Sequence, residues 1–230
     1  STATNNPNSQ TTSSATVPTK LVITSINSGS NITVSPNTFT MTIQAQDNNS
    51  NPQNVTNATG ITLSVQSGTG ILGGTTTGTI TAGTNSVTIS GITYSIAETG
   101  VSIKASTNSG DALTSAISNT FTVYSSTPTS QPTSIVFSNI NTTGFNVSFA
   151  AATGSPTGYL VLRREGSSYP TGSPSIGTTY SVGSTIGDGT VAYIGATTNF
   201  TESSLSAGTQ YSYSVFSYNG TGATINYLTT

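Results

Sequence analysis

The chain has 230 residues, a formal net charge of −2, ten charged side chains, and no Cys, His or Trp. That inventory excludes a disulfide framework, a thiolate metal site, and any Ser-His-Asp or Cys-His catalytic arrangement. So few charges leave no basic footprint for phosphate backbones, so nucleic acid is not an expected partner.

The apolar fraction is lean at 32%, but the apolar residues recur at period two and net charge is low, which favours ordered β structure over disorder. The surface must then be Ser, Thr, Asn, Gln and Gly. Such a surface is wet and weakly repulsive between copies, which eases self-association. No run of about 18 apolar residues occurs, so no membrane-spanning helix is expected.

Residues 1–17, STATNNPNSQTTSSATV, carry no charge and almost no bulk and read as a polar tail or linker. They have neither the charged start nor the apolar middle of a signal peptide. Their own burial cannot fix them, so pairing along an open sheet edge or packing on a neighbouring copy are the physical options.

A first domain is expected over residues 18–124. Lys20 opens a strand, KLVITSI. Phe39, Met41, Ile43 and Ala45 alternate with Thr and Gln up to an Asp47-Asn48-Asn49-Ser50-Asn51-Pro52 turn. Ile61, Leu63 and Val65 alternate next, and a Gly-rich passage runs from Gly68 to Gly83. Val87 and Ile89 lead through Gly91 to Ile92 and Tyr94, and Val101, Ile103 and Ala105 follow. Phe121 and Val123 close a set of about seven strands, the description of an immunoglobulin-like sandwich.

Residues 125–133, SSTPTSQPT, hold Pro128 and Pro132 and no bulky apolar side chain, which marks a Pro-stiffened linker. A second domain is expected over residues 134–230. Phe145, Val147 and Phe149 form its second strand. GYLVLRREG is apolar on both faces before Arg163-Arg164-Glu165, so it belongs at the centre of a sheet with cover on both sides. Residues 166–190 are a polar insertion anchored by Ile176, Tyr180, Val182 and Ile186. In LSAGTQYSYSVFSYNG, Tyr211, Tyr213 and Val215 alternate with serines directly after a turn. There Tyr211 takes the place of a tyrosine corner, with Phe149 and Val215 as core. The fold class expected is therefore all-β, two tandem β-sandwiches.

Two resemblances accompany these patterns. PTKLVITSINSGS, IQAQDNNSNPQNVT, GTGILGGTTTGTITAGTNSVTISGITYS and AETGVSIKASTNSGDALTS resemble an immunoglobulin-like repeat of large secreted Bacteroidota surface proteins. SIVFSNINTTGFNVSFAAATG, GYLVLRREGS, TYSVGSTIGDGTVAYIG and LSAGTQYSYSVFSYNG resemble a fibronectin type III domain, with Phe149 where that family usually carries Trp. No Arg-Gly-Asp tripeptide is present, so an integrin loop is not implied. The resemblance implies a bacterial cell-surface or secreted adhesin or filament segment, exported through the type IX system. Such a segment is not an enzyme, needs no cofactor, and acts as spacer and self-association module beside neighbouring domains of the same larger protein.

Candidate chemistry is sparse. Six acids are too scattered to suggest a glycosidase pair, although Glu165 and Glu202 sit at strand ends. Asp47 among amides, and Asp111 and Asp188 beside Gly, read as turn residues, since one carboxylate per cluster makes a poor calcium cage. An internal isopeptide bond would need Lys20, Asn119 and an assisting Glu98. Against it, Lys20 reads as a solvated charge guarding an edge strand. Asn-X-Ser/Thr triplets such as Asn54-Val55-Thr56 are expected by chance in this composition. Tyr169, Tyr180 and Tyr218 lie in or near loops and could stack on a sugar, so a carbohydrate-binding accessory module of a secreted enzyme is the alternative, with a glycan as partner.

Overall fold

The computed structural model describes residues 17–229. The polar tail therefore lies outside the described residues, Val17 excepted. The strands of the first half are β1 (Lys20–Ile26), β2 (Ile32–Thr33), β3 (Phe39–Gln46), β4 (Thr59–Ser67) and β5 (Leu72–Gly74). They continue with β6 (Thr77–Ile80), β7 (Ser86–Tyr94), β8 (Glu98–Thr107), β9 (Ala116–Ile117) and β10 (Phe121–Tyr124). One sheet runs β1-β3-β7-β5 and the other β2-β10-β8-β4-β6, with β9 alongside β8. β2 pairs with β10 in parallel, and the other named pairs are antiparallel.

Alternation explains this half. Phe39, Met41, Ile43 and Ala45 of β3 all point into one core with Ile61, Ile92, Tyr94, Val101 and Ile103. Outward residues pair across strands, as in the 2.9 Å hydroxyl contact of Thr42 with Thr88. In β7 the apolar parity switches between Ile89 and Ile92. The register explains it: Phe39 faces Ile92 but Met41 faces Ile89, so β7 carries one extra residue. Gly91 sits there at φ +79°, the left-handed backbone a bulge requires. The Gly-rich passage that composition makes a loop contains β5 and β6. Only Leu72 and Ile80 anchor them, so no alternation betrays them.

The second half holds β11 (Thr133–Ser138), β12 (Phe145–Ala150), β13 (Gly158–Glu165) and β14 (Thr185–Ile186). β15 (Gly189–Gly195), β16 (Asn199–Glu202), β17 (Tyr211–Asn219) and β18 (Asn226–Tyr227) complete it. The sheets are β11-β12-β16 and β14-β15-β13-β17-β18. Between them pack Phe149, Tyr159, Val161 and Tyr213, with Val215 half-buried against the cluster. On the far face of the larger sheet pack Leu160, Leu162, Val191, Phe216, Ile225 and Tyr227. β13 is thus covered on both faces, as its unbroken apolar run predicts. Ile186 and Tyr180 of the 166–190 insertion belong to that outer core, whereas Val182 is 65% exposed and anchors nothing.

Composition makes residues 125–133 a Pro-stiffened linker with a limited range of angles, and the structure adds two details. Thr133 already begins β11. Residues 125–131 are also no free tether: they dock along the β17–β18 end. The Ser125 N–H donates to the Thr224 carbonyl at 3.0 Å. The Asn226 amide donates to the Ser125 carbonyl and to Thr127 Oγ1, and the Asn219 amide donates to the Ser126 carbonyl. The Ser217 N–H donates to Gln131 Oε1 at 2.8 Å and its hydroxyl to the Ser130 carbonyl at 2.9 Å. The short 3-10 turn Gly222–Thr224 packs against β8 and β10 of the first sandwich. Gly177 lies so close to Tyr124 that a Cβ there would sit 2.9 Å from its ring. Ser, Thr, Asn and Gln side chains match backbone groups at a strand end, which composition cannot reveal.

Leu160→Ala removes a fully buried side chain from the central strand. It is expected to cost about 2–5 kcal/mol, read as a lower urea midpoint at unchanged slope.

Candidate functional site

The few ionised groups are already committed to local structure. Asp47 accepts the N–H groups of Asn49 and Asn51, both at 2.9 Å, and the Asn51 N–H is the main cause that lowers its pKa. Asp111 accepts the N–H of Thr56 at 2.6 Å and both the N–H and the amide of Asn57, and Asp188 accepts the N–H of Thr171 at 2.7 Å. Each carboxylate ties a loop instead of facing a ligand. Among the described residues no three of His, Cys, Asp or Glu gather to hold a metal.

Lys20, Asn119 and Glu98 are not brought together. Lys20 Nζ donates to Ser50 Oγ at 2.9 Å, at the turn that follows β3. Glu98 accepts from the Tyr94 hydroxyl at 2.5 Å and from the N–H groups of Thr69 and Gly70. Asn119 is exposed beside β1. The three groups are therefore not assembled for an isopeptide bond: β1 and the strand carrying Glu98 lie in different sheets, and Lys20 and Glu98 each bond a nearer partner.

Glu98 and Tyr94 form a tight pair. The Tyr94 hydrogen bond, helped by those backbone N–H groups, holds the Glu98 carboxyl down at about 2. Burial, and then Glu98 itself, pushes the Tyr94 hydroxyl up to about 12. A second polar centre lies in the other sandwich. Arg163 and Glu202 pair at 2.8 Å, and Glu202, which is buried, also accepts from the Tyr213 hydroxyl at 3.1 Å. The Arg163 guanidinium lies 5.5 Å over the Tyr211 ring. Burial, then the Glu202 charge, pushes the Tyr213 hydroxyl far above its ordinary range. Arg164 pairs with Asp188 at 3.2 Å.

The Tyr211 hydroxyl accepts the Ser206 N–H at 3.1 Å, five residues upstream. Phe149 packs edge-on against Tyr159 at 5.0 Å. Pro128 is buried in the docked segment and Pro132 half-buried. Of the three loop tyrosines, Tyr180 and Tyr218 are half-buried and pack on Tyr227 at 6.0 and 5.7 Å. Tyr169 is 71% exposed. It borders a groove of about 300 Å³ lined by Ile135, Phe137, Ser167, Gln210, Tyr211, Ser212 and Tyr213. Sequence reasoning misses Phe137 and Gln210 here. A signal was available in Ile135-Val136-Phe137, three consecutive apolar residues that one face cannot all bury, and Val136 and Phe137 are indeed exposed.

The groove borders the Tyr211 end of β17. β13 pairs with β17 over eight residues, from Gly158↔Tyr218 to Glu165↔Tyr211. Among the described residues β18 meets the other edge of β17 only at Tyr218 and Asn219, with one more bond from the Leu228 N–H to the Ser217 carbonyl.

The family model of the fibronectin type III domain matches residues 130–227. No curated protein matches the chain. Among solved structures, the chain is similar to a two fibronectin type-III domain segment from chicken tenascin, at 16% identity and TM-score 0.34, covering 93% of this chain and 99% of that one. It is also similar to the chicken CNTN1 FN1-FN3 domains, at 12% identity, TM-score 0.33 and coverage of 94% and 66%. Titin domains A168-A170 match at 14% identity, TM-score 0.36 and coverage of 92% and 63%. The chain thus spans just under two thirds of the CNTN1 and titin segments. The strand order makes the chain all-β with two tandem β-sandwiches, the second of which matches the fibronectin type III domain over residues 130–227, and no helix among the described residues is long and apolar enough to cross a membrane.

Two outcomes are expected. Tyr211→Phe deletes one hydrogen bond at the turn and should cost about 0.5–1.5 kcal/mol in urea unfolding, with the strand order kept. Glu98 titrates lower in the folded protein than its ordinary 4.5, so its contribution is complete above pH about 4.5 and is lost as pH falls toward about 2. Glu98→Gln should flatten the fall in melting temperature across that window relative to the parent protein.

Proposed function

We propose that this chain is a structural segment of an exported bacterial cell-surface protein or filament, in which two sandwiches act as a stiff spacer and associate with copies or neighbouring domains. The domains of this reading are an immunoglobulin-like sandwich over residues 18–124 and a fibronectin type III-like sandwich over residues 134–230. Residues 125–133 join them and residues 1–17 precede them. The observation that supports it best is the docked junction. Residues 125–131 are held by side-chain and backbone hydrogen bonds to β17, β18 and the turn between them, so the two sandwiches meet through fixed contacts. A spacer transmits position and force, and needs such a junction more than it needs a pocket. The committed carboxylates agree with a role that is not catalytic.

A carbohydrate-binding role has one observation in its favour, the exposed Tyr169 beside Phe137. It lacks the platform of several free aromatic faces that sugar stacking uses, because Tyr180 and Tyr218 are packed.

Small-angle scattering and NMR relaxation on the full chain test the spacer reading. One elongated particle with a common tumbling time for both halves is expected. Asn219→Ala combined with Asn226→Ala should loosen the junction and separate the two tumbling times. Independent tumbling of the halves in the parent protein would overturn the spacer, and failure of surface protease to release the segment from intact source cells would overturn export.

A further inference from the structure

We infer that residues 166–184 act as a buttress at the domain junction: their tip, residues 175–180, backs the 3-10 turn Gly222–Thr224 and with it receives Tyr124 of the preceding sandwich. The inference rests on the spacer reading above and gives the stiffness of that spacer a second source.

The path of the segment is the first observation. β13 leaves the junction end at Gly158, opposite Tyr218, and finishes at Glu165, opposite Tyr211. Its eight residues span about 26 Å, so residue 166 starts at the far pole of the sandwich. β14 also lies toward that pole, since Thr185 pairs with Thr190 and Thr190 with Arg163. Two to five residues would join such antiparallel neighbours. Residues 166–184 instead climb to the junction and return, although a Gly-, Ser- and Thr-rich segment of this length is costly to order. The two legs are fastened at the foot, where Asp188 accepts the Thr171 N–H at 2.7 Å and Gly172 lies against the Ile186 backbone.

The tip is fastened separately. The Gly177 N–H donates to the Ile225 carbonyl at 2.8 Å, and the Tyr227 hydroxyl donates to the Thr178 carbonyl at 3.0 Å. The Tyr180 hydroxyl accepts the Ser175 N–H at 3.0 Å, and its ring packs on Tyr227. These bonds place the tip directly behind the turn Gly222–Thr224, which packs against β8 and β10. A Cβ on Gly177 would sit 3.2 Å from the Ala223 carbonyl oxygen and 2.9 Å from the Tyr124 ring. Insertion, turn and first sandwich therefore meet at this one residue.

Tyr124 is suited to that contact. It is the last residue of β10, it is half-buried, and it joins none of the three apolar clusters of the two sandwiches. Its ring is thus not needed by the core of its own domain. Bonds to residues 125–131 fix the linker, but a body attached to a fixed linker still swings about its last residue unless the body itself is touched. Domains joined through a small interface move relative to one another by default. The turn and the tip touch the body at β8, β10 and Tyr124, and the tip keeps a turn of three residues from yielding. The surface they form suits a preceding domain whose last strand ends in an aromatic side chain.

Amide hydrogen exchange and NMR relaxation on the full chain test it with two variants, each checked for unchanged β13 amide shifts. Tyr227→Phe keeps every ring and removes the bond that ties the tip. Tyr124→Ala removes the side chain that the tip receives, and Tyr124→Leu serves where the alanine disturbs β10. Each should speed exchange of the Ser125 N–H, which bonds the Thr224 carbonyl, about tenfold and separate the tumbling times of the two halves. The double variant should add little to either single change, because both act through one contact. Additive effects would assign Tyr227 and Tyr124 to independent contacts and overturn the buttress. Unchanged Ser125 exchange and a common tumbling time in both variants would overturn it too, while leaving a spacer held by residues 125–131 standing. Independent tumbling of the halves in the parent protein would overturn the spacer reading as well.

Discussion

The pairing of β13 with β17 is the interaction on which the second sandwich depends. Eight residues of unbroken register place Tyr159, Val161, Tyr213 and Val215 on one face and Leu160, Leu162 and Phe216 on the other. Both cores of this half therefore share one ladder. The same strand carries Ser217 and Asn219, which hold residues 125–131 and with them the first sandwich. A slip by one residue would turn both faces over at once and displace the junction, so fold and domain geometry are coupled through one register.

A chain with ten charges must find its polar cohesion elsewhere. The carboxylates of Asp47, Asp111 and Glu98 each gather several donors from a neighbouring loop, and amides and hydroxyls do the same at the junction. Charge-assisted bonds of this kind are stronger than neutral ones, so a few acids can order long Gly- and Ser-rich connections. The side chains that might have looked like ligands are used to hold loops. Among the described residues Asp47 and Glu202 are the buried charged side chains, and Glu202 pairs with the half-buried Arg163 beside Tyr211 and Tyr213.

Among the described residues β17 is paired with β13 along nearly its whole length and with β18 over two residues. The exposed Val136, Phe137 and Tyr169 lie near the same seam.

Alternation in β3, β13 and β17 determined the strands, and turn spacing determined two all-β sandwiches, because a half-buried strand must repeat at period two and a doubly covered one must not. The parity switch around Gly91 is visible in the sequence, but only the register with β3 shows it to be a bulge. The sequence did not determine β5, β6 and the two-residue strands, which are too short and too Gly- and Thr-rich to show a period. Nor did it separate Tyr169 from Tyr180 and Tyr218, since whether a loop tyrosine is free or packed depends on Tyr227, distant in the chain from Tyr180. Lys20, Asn119 and Glu98 looked compatible in order along the chain, yet Lys20 and Glu98 are held by separate partners that only the sheet arrangement supplies. The docked junction was decided by tertiary structure alone, because it depends on which backbone groups the ladders leave unpaired.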